Sequence, residues 1–521
     1  MTSAFIGIDL GTSSVKAVVV DEKGAILSTG SAEYPISHPQ PGWAEQDPDE
    51  WWGGVVSAVR QAIGWLPTGT QISGIGLAGQ MHGTVLLGDT LTPIAPAIIW
   101  ADGRSWRQVP EITNAIGRER LADLAGSPLA VGFQAATIAW LQKEQASTWW
   151  RTAKVISPKD EIRRRLTGEI ATDPGDASAA LLLDVRWRAW AADILKVVDI
   201  DLAKLPEIVP ASAVAGGLTP TAAEELGLPA GTPVVTGTGD AGASLLGAGI
   251  VDPSTMLLSV STGAQVMVPA EIARPDPDGR IHTFCSGLEP KAGSPAWYQM
   301  GATLVAGMAL RWLRDTMLDL RSGDAYERMT ALAEHSPPGA RGLLFLPFMV
   351  GERTPHMDAR LRAAFLGLGA NHDRGDLVRS VMEGTMLAAR TAYDVLTAAG
   401  ASPQRIIIAG GGARSPLWRQ IAADIFDLPV TMLASADQAA MGAAMLAAAG
   451  VTGADPVVTA REWARYGAVT QPVPETAARY RELAGIYADA HVATAEISHR
   501  LVNFAEPRRD PIHVHRPSRE G

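Results

Sequence analysis

An apolar strand that ends on an aspartate and breaks into a tight polar turn, GIDLGTSSVKAVVVD, opens this chain, and a looser version of it, TMLLSVSTGAQVMVPA, recurs far downstream. In each, short apolar runs flank a Gly/Thr/Ser cluster, the pattern of two strands joined by a tight turn. The echo predicts duplicated domains, each presenting one polar hairpin turn to a shared cleft. Length agrees: 521 residues exceed the roughly 250–300 at which a single core stops growing. A Pro/Gly-containing stretch at 211–233, followed by PVVTGTGDAGASLLGAG, marks the crossover. We therefore expect an N-terminal domain over 1–247, a C-terminal domain over 248–500, and a flexible tail over 501–521. Helical periodicity is read at 49–66, 301–320, 375–399 and Pro416–Phe426, and RIIIAGGGARSPLWRQIAADIF reads as strand, glycine turn, helix. Strands alternating with helices predict α/β layers, with sheets covered by helices.

Lys plus Arg number 44 against 55 Asp plus Glu, a net charge of -11, which argues against a nucleic-acid partner. A polyanion such as ATP is still within reach, through backbone N–H groups, helix N-termini and a metal ion. The single cysteine, Cys285, excludes an intrachain disulfide and points to a reducing compartment. The opening MTSAFIGIDLG lacks a basic region and is interrupted by Asp9, so it reads as a strand and not a signal peptide. The Ala/Gly-rich stretch at 438–454 is too short to span a bilayer. A soluble, cytoplasmic protein with no membrane partner is expected.

Two strings, GIGLAG (74–79) and GTGDAG (237–242), match G-x-G-x-x-G, but neither is followed by the acid that a dinucleotide site needs. No G-x-x-x-x-G-K-[ST] occurs, which removes the P-loop kinases. Another cradle is visible. Asp9 ends a strand and Gly11, Thr12, Ser13 and Ser14 form the turn, offering N–H groups and hydroxyls to phosphate while the carboxylate suits Mg²⁺. Lys16 could add charge. An ordinary hairpin explains that turn equally well by itself. Paired with SVSTGA (259–264), and with the three glycines of AGGGARSPLW that let backbone approach a nucleotide, it becomes harder to dismiss.

Together with GWAEQDPDEWW, GLAGQMHG, PAIIWADGR, PKDEIRRRLTGEIATD, GTGDAGA and GERTPHMDARLRAAFLGL, these strings make the sequence resemble the FGGY carbohydrate kinases, and within them the xylulokinase branch. The resemblance runs from Ala4 to about Gly450. It implies two actin/Hsp70-like, ribonuclease H-like domains with ATP bound between them, and phosphorylation of D-xylulose, a ketopentose, to its 5-phosphate. It implies that Asp240 is the general base, that Asp9 organises Mg²⁺ and the phosphates, and that both carboxylates serve the metal. Thr12 to Ser14 with Thr262 and Gly263 would face the triphosphate, Gly307 would lie on the nucleotide side, and Gly411, Gly412 and Ala413 would border the adenosine. Met81 and His82 would contact the sugar. A homodimer is allowed by the same analogy.

The sequence departs from the pattern at three places. Ala241 stands where an Asn usually follows the base, Ser261-Thr262-Gly263 where Gly-Thr-Ser is usual, and Thr137 where a Lys precedes I-x-W. Losing the Asn should loosen recognition of one hydroxyl, so another pentulose or polyol (ribulose, L-xylulose, erythritol or glycerol type) is the alternative substrate. A different class, an actin/Hsp70-like nucleotide sensor that transfers no phosphate, is disfavoured by the GQMHG loop and the Asp240 turn. Trp43, Trp51 and Trp52 read as packing residues. Asp102 with Arg104, and Glu352 with Arg353, read equally as structural ion pairs or as substrate-side groups. Arg163, Arg164 and Arg165 read as a solvated basic face, and His513 and His515 as part of a solvated tail.

Overall fold

Runs of β-branched and apolar residues build two mixed sheets of seven strands each. In the first, Thr2–Leu10 pairs antiparallel with Ser14–Asp21, which pairs antiparallel with Ile26–Glu33. On its other side Thr70–Gly79 runs parallel, followed by Pro233–Val235, parallel, and Val214–Gly217, antiparallel. The second sheet repeats that order. Thr255–Val260 pairs antiparallel with Ala264–Ala270 and through it with Trp297–Thr303. Its other neighbours are Arg405–Ala409 and Val430–Leu433, both parallel, and then Tyr466–Thr470, antiparallel. The echo seen in the sequence is thus a repeated pairing scheme. The computed structural model describes residues 2–435 and 437–505.

Helices cover the sheets where the apolar spacing is 3.6. Pro48–Gly64 starts on an Asp47 cap with Pro at its first turn and buries Trp51, Val55, Ala58, Val59 and Ala62 as one stripe. Burying each larger member contributes about 1.5–3 kcal/mol. Pro416–Phe426 forms as read, and the 375–399 pattern is the helix Arg374–Ala398.

The 301–320 reading is corrected. Trp297–Thr303 is a strand buried at every position, and the helix begins only at Gly307. A strand covered on both faces shows no alternation, so its apolar run is indistinguishable from a buried helix. The tail is also shorter than read: residues 501–505 continue the helix Pro474–Ala505, while His513 and His515 lie outside the described residues. Among the described residues no helix is long and apolar enough to cross a membrane.

One helix from late in the chain belongs physically to the first sheet. Gln438–Thr452 is mostly Ala, Gly and Met, and it lies flush on Thr2–Leu10 and Thr70–Gly79. A Cβ on Gly7 would sit 1.8 Å from Ala440 O and one on Gly76 would sit 1.9 Å from Ala443 O, so only glycine admits this approach. The same helix meets Asp240–Gly247.

Candidate active site

Asp9 and Asp240 come together because of one strand. Asp9 and Thr238 both lie opposite Ala78, on either side of Thr70–Gly79. Both carboxylates therefore belong to the carboxyl edge of the same sheet, the strand positions of Asp9 and Thr238 lying about two strand spacings apart, roughly 10 Å. Asp240 opens the helix Asp240–Gly247 and its Oδ1 accepts the Ala241 N–H at 2.8 Å. Burial, with the charge of Asp9, pushes its pKa up to about 7. Burial raises Asp9 to about 6, against the pull of Lys16. Lys16 itself is tied to Asp437 at 2.8 Å.

Asp9 Oδ1 is buried with no hydrogen-bond partner among the described residues. A hard, desolvated carboxylate oxygen beside a second carboxylate fits Mg²⁺, which takes one or two protein oxygens and fills its shell with phosphate and water. Among the described residues no cluster of three or more His, Cys, Asp or Glu forms a protein cage for a metal.

The turn after Asp9 is held from behind. Gln46 Nε2 donates to Thr12 O at 2.7 Å, Trp100 Nε1 donates to Thr12 Oγ1 at 2.9 Å, and Tyr34 donates its hydroxyl to Gly11 O. Gln80 and Trp51 both donate to Gln46 Oε1, at 2.9 and 3.1 Å, fixing the amide that reads the turn. The hairpin closes through Gly11 N–H to Ser14 O at 3.0 Å, with Ser13 at its tip. None of Tyr34, Gln46, Gln80 and Trp100 was singled out from sequence. Three of them sit inside the quoted strings, where only the fold shows that they converge.

Met81 and His82 follow the end of Thr70–Gly79. His82 has φ 72°, in the left-handed region that few non-glycine residues occupy. Its ring stacks on Phe133 at 3.8 Å and its Nδ1 meets Ala179 O at 2.8 Å. Burial lowers its pKa to about 4, so the ring is neutral, Nδ1 carries the proton and Nε2 is free to accept. Met81 is buried and its sulfur receives the Tyr298 hydroxyl at 3.8 Å, a contact between the two halves. A second histidine, His282, stacks on Phe284 at 5.3 Å nearby, lowered to about 3 by burial and by the facing His82 and Arg353. Nothing in the sequence pointed to it.

The predicted nucleotide residues of the other half gather at a pocket of about 660 Å³, lined by Thr262, Gly307, Gly411, Gly412 and Trp418 among others. Gly307 N–H donates to Ser261 O at 2.8 Å, and a Cβ there would lie 2.4 Å from that oxygen, so the third segment closes on the turn only as glycine. Gly263 does not line the pocket; it packs against Thr303 O and Leu304 O. Ala413 is buried and does not line the pocket. Thr137 and Ala241 are both buried.

The basic run read as solvated is not. Arg163 is fully buried and donates to Asp160 at 2.8 Å, while Arg164 and Arg165 each pair with Glu161 at 2.7 Å. Lys159, also fully buried, holds Asp160 at 2.6 Å and Thr236 O at 3.2 Å, and Thr238 donates to Asp173 at 2.6 Å. This charge cluster braces the segment that ends in Asp240. Asp102 and Arg104 resolve as a structural pair, with Asp102 also accepting Ala44 N–H at 2.6 Å. Glu352 and Arg353 do not pair through their side chains. Trp51 is core, Trp52 donates to Glu225, and Trp43 packs on Trp140 and Arg104.

Comparison with known proteins agrees over nearly the whole chain. It is 34% identical over 507 residues to the xylulose kinase of Lactococcus lactis subsp. lactis (strain IL1403), covering 96% of this chain and 98% of that one. It is 30% identical to the gluconokinase of Bacillus subtilis (strain 168), over 86% of this chain and 87% of that one. The crystal structure of xylulose kinase from Rhodospirillum rubrum superposes with a TM-score of 0.87 at 30% identity, over 95% of this chain and 99% of that one. Residues 4–247 match the N-terminal domain of the FGGY family of carbohydrate kinases and residues 256–451 its C-terminal domain. With two sheets of one pairing scheme, two aspartates on one sheet edge and a pocket lined by Gly307, Gly411 and Gly412 in the other half, the chain belongs to the FGGY family of carbohydrate kinases.

Proposed function

We propose that this protein transfers the γ-phosphoryl group of ATP to D-xylulose, giving D-xylulose 5-phosphate and ADP. The observation that carries this reading is the Asp240 carboxylate, half-buried, raised to about 7 and set on the same sheet edge as Asp9. A base of that pKa works near neutral pH, and general-base help is worth about 10²–10⁴ in rate. Asp240 takes the proton of the attacking hydroxyl as its oxygen bonds to phosphorus and the bond to the ADP oxygen breaks. Met81 and His82 hold the sugar, His82 as a neutral acceptor. The Thr12 and Thr262 turns orient the triphosphate so that hydroxyl and phosphorus are aligned, which supplies much of the acceleration in phosphoryl transfer. Mg²⁺, held at Asp9 with Asp240 beside it, would offset charge on the phosphates. Residues 1–247 act as the sugar and base domain and 248–500 as the nucleotide domain. We assign the reaction to the cytoplasm, from its demand for ATP and the lone buried Cys285.

Ala241 favours a second reading, in which another pentulose or a polyol is the acceptor, because the position after the base offers no side-chain hydrogen bond. An ADP-release screen with Mg-ATP across pentuloses, hexuloses and polyols separates the two. D-Xylulose should give the highest kcat/KM. Asp240→Asn should abolish sugar-dependent ADP release while Mg-ATP still binds; full activity in that variant removes Asp240 as base.

A further inference from the structure

We propose that Arg353 is a catalytic residue of this site, whose guanidinium meets the phosphoryl group as it passes from ATP to the sugar. The inference rests on the kinase reading above and adds to it a group from the C-terminal half.

Arg353 is a cation without a hydrogen-bonded partner. Among the described residues its guanidinium makes no hydrogen bond and no ion pair, although burial depresses its basicity. Its neighbour Glu352 makes no hydrogen bond to the guanidinium: Oε1 accepts the backbone N–H groups of Leu304 and Arg353, each at 2.8 Å, and Oε2 is buried with no hydrogen-bond partner among the described residues. The groups that face Arg353 are the Glu352 carboxylate, which acts on it by charge alone, Trp100, whose ring lies 5.7 Å away, and the neutral His82 and His282, both of which feel its charge. A guanidinium brings five donors, and leaving them unpaired in a partly desolvated cleft is costly. An anion that arrives with the substrates removes that cost.

The position of Arg353 selects the anion. Trp100, under the guanidinium, donates to Thr12 in the first phosphate turn. Glu352 fastens the same loop to Leu304, which packs against Gly263 of the second phosphate turn. Thr354 adds two bonds to Ala302, at 3.0 and 3.1 Å. Arg353 is therefore tied to both phosphate turns and faces the sugar-side histidine. For a neutral ketose and ATP, the group found at that junction is the transferring phosphoryl.

The test compares wild type with Arg353→Gln, Arg353→Lys and Arg353→Ala, each checked for folding by thermal melting and for Mg-ATP binding. With D-xylulose, or the best acceptor in the screen, Arg353→Gln should lower kcat by about 10²–10³, the usual effect of deleting one transition-state donor. KM for the sugar should stay within about threefold, as expected when an interaction exists only in the transition state. Arg353→Lys should retain part of the rate, and added guanidinium should raise the rate of folded Arg353→Ala at least about tenfold. Three results overturn the proposal: kcat within threefold of wild type, a loss confined to KM, or no guanidinium response in folded Arg353→Ala. A loss confined to KM for gluconate would show that Arg353 reads a sugar carboxylate instead. If no acceptor in the screen raises ADP release above the sugar-free rate in wild type, the kinase reading itself fails, and this proposal with it.

Discussion

His82 is held on three sides: a strained backbone at φ 72°, the face of Phe133 and the carbonyl of Ala179. That leaves a single oriented acceptor, Nε2. Truncation in His82→Ala should raise KM for the sugar roughly threefold to tenfold, the worth of one hydrogen bond, with kcat little changed; steady-state kinetics decides, and an unchanged KM excludes the contact. His282 gives a different signature. Its folded pKa of about 3 lies below its ordinary value, so between about 6.5 and 3 the unfolded chain binds a proton that the native state refuses. Its stabilising contribution is complete above about 6.5 and is lost as the pH falls, at about 1.4 kcal/mol per pH unit. Denaturant unfolding of wild type and His282→Gln across that range should show the variant with the shallower acid dependence by that amount. Comparison with the variant is needed because the raised carboxylates Asp9, Asp240 and Glu352 act in the opposite sense. That the Asp9 and Asp240 turns come together on one sheet edge was legible in the sequence, since each aspartate sits in a string with a local strand-and-turn pattern. Arg163 was not: three consecutive arginines read as solvent-facing until Asp160 and the Ala171 carbonyl are seen to meet the first of them inside the protein. The spacing of Asp160 and Arg163, one helical turn, was the available signal.

At the scale of elements, the strand–turn–strand units were legible because a polar cluster cuts two β-rich runs, and both closed as read. The strand Trp297–Thr303 was not, because burial on both faces erased its period. The contact between Thr70–Gly79 and Gln438–Thr452 is the most demanding junction between elements. Gly76→Ala should destabilise the protein by about 1–3 kcal/mol through overpacking, since backbone carbonyl and not a flexible side chain occupies the space. Urea unfolding checks this; an unchanged midpoint would mean that the helix rides further from the sheet.

For the whole molecule, the two halves are joined at the site by Lys16 with Asp437, Tyr298 with Met81, and Cys285 N–H with Ser178. Ligands that bridge the halves should stabilise the native state by mass action, about 2.7 kcal/mol at a hundredfold excess over Kd. Melting curves should rise with Mg-ATP in wild type and in Asp240→Asn alike; loss of the rise in the variant would give Asp240 a part in nucleotide binding. The duplication was legible from one echoed turn. The dependence of the first sheet on residues near 440 was not, because an Ala/Gly run carries no address.

That dependence shapes how the protein is made. When a ribosome has released the first sheet, the strip over Gly7 and Gly76 is still bare, and its cover emerges some two hundred residues of synthesis later. The N-terminal half must wait, half clothed, for the far end of the chain, so a product truncated before Gln438 should aggregate instead of persisting as a stable sugar-binding fragment.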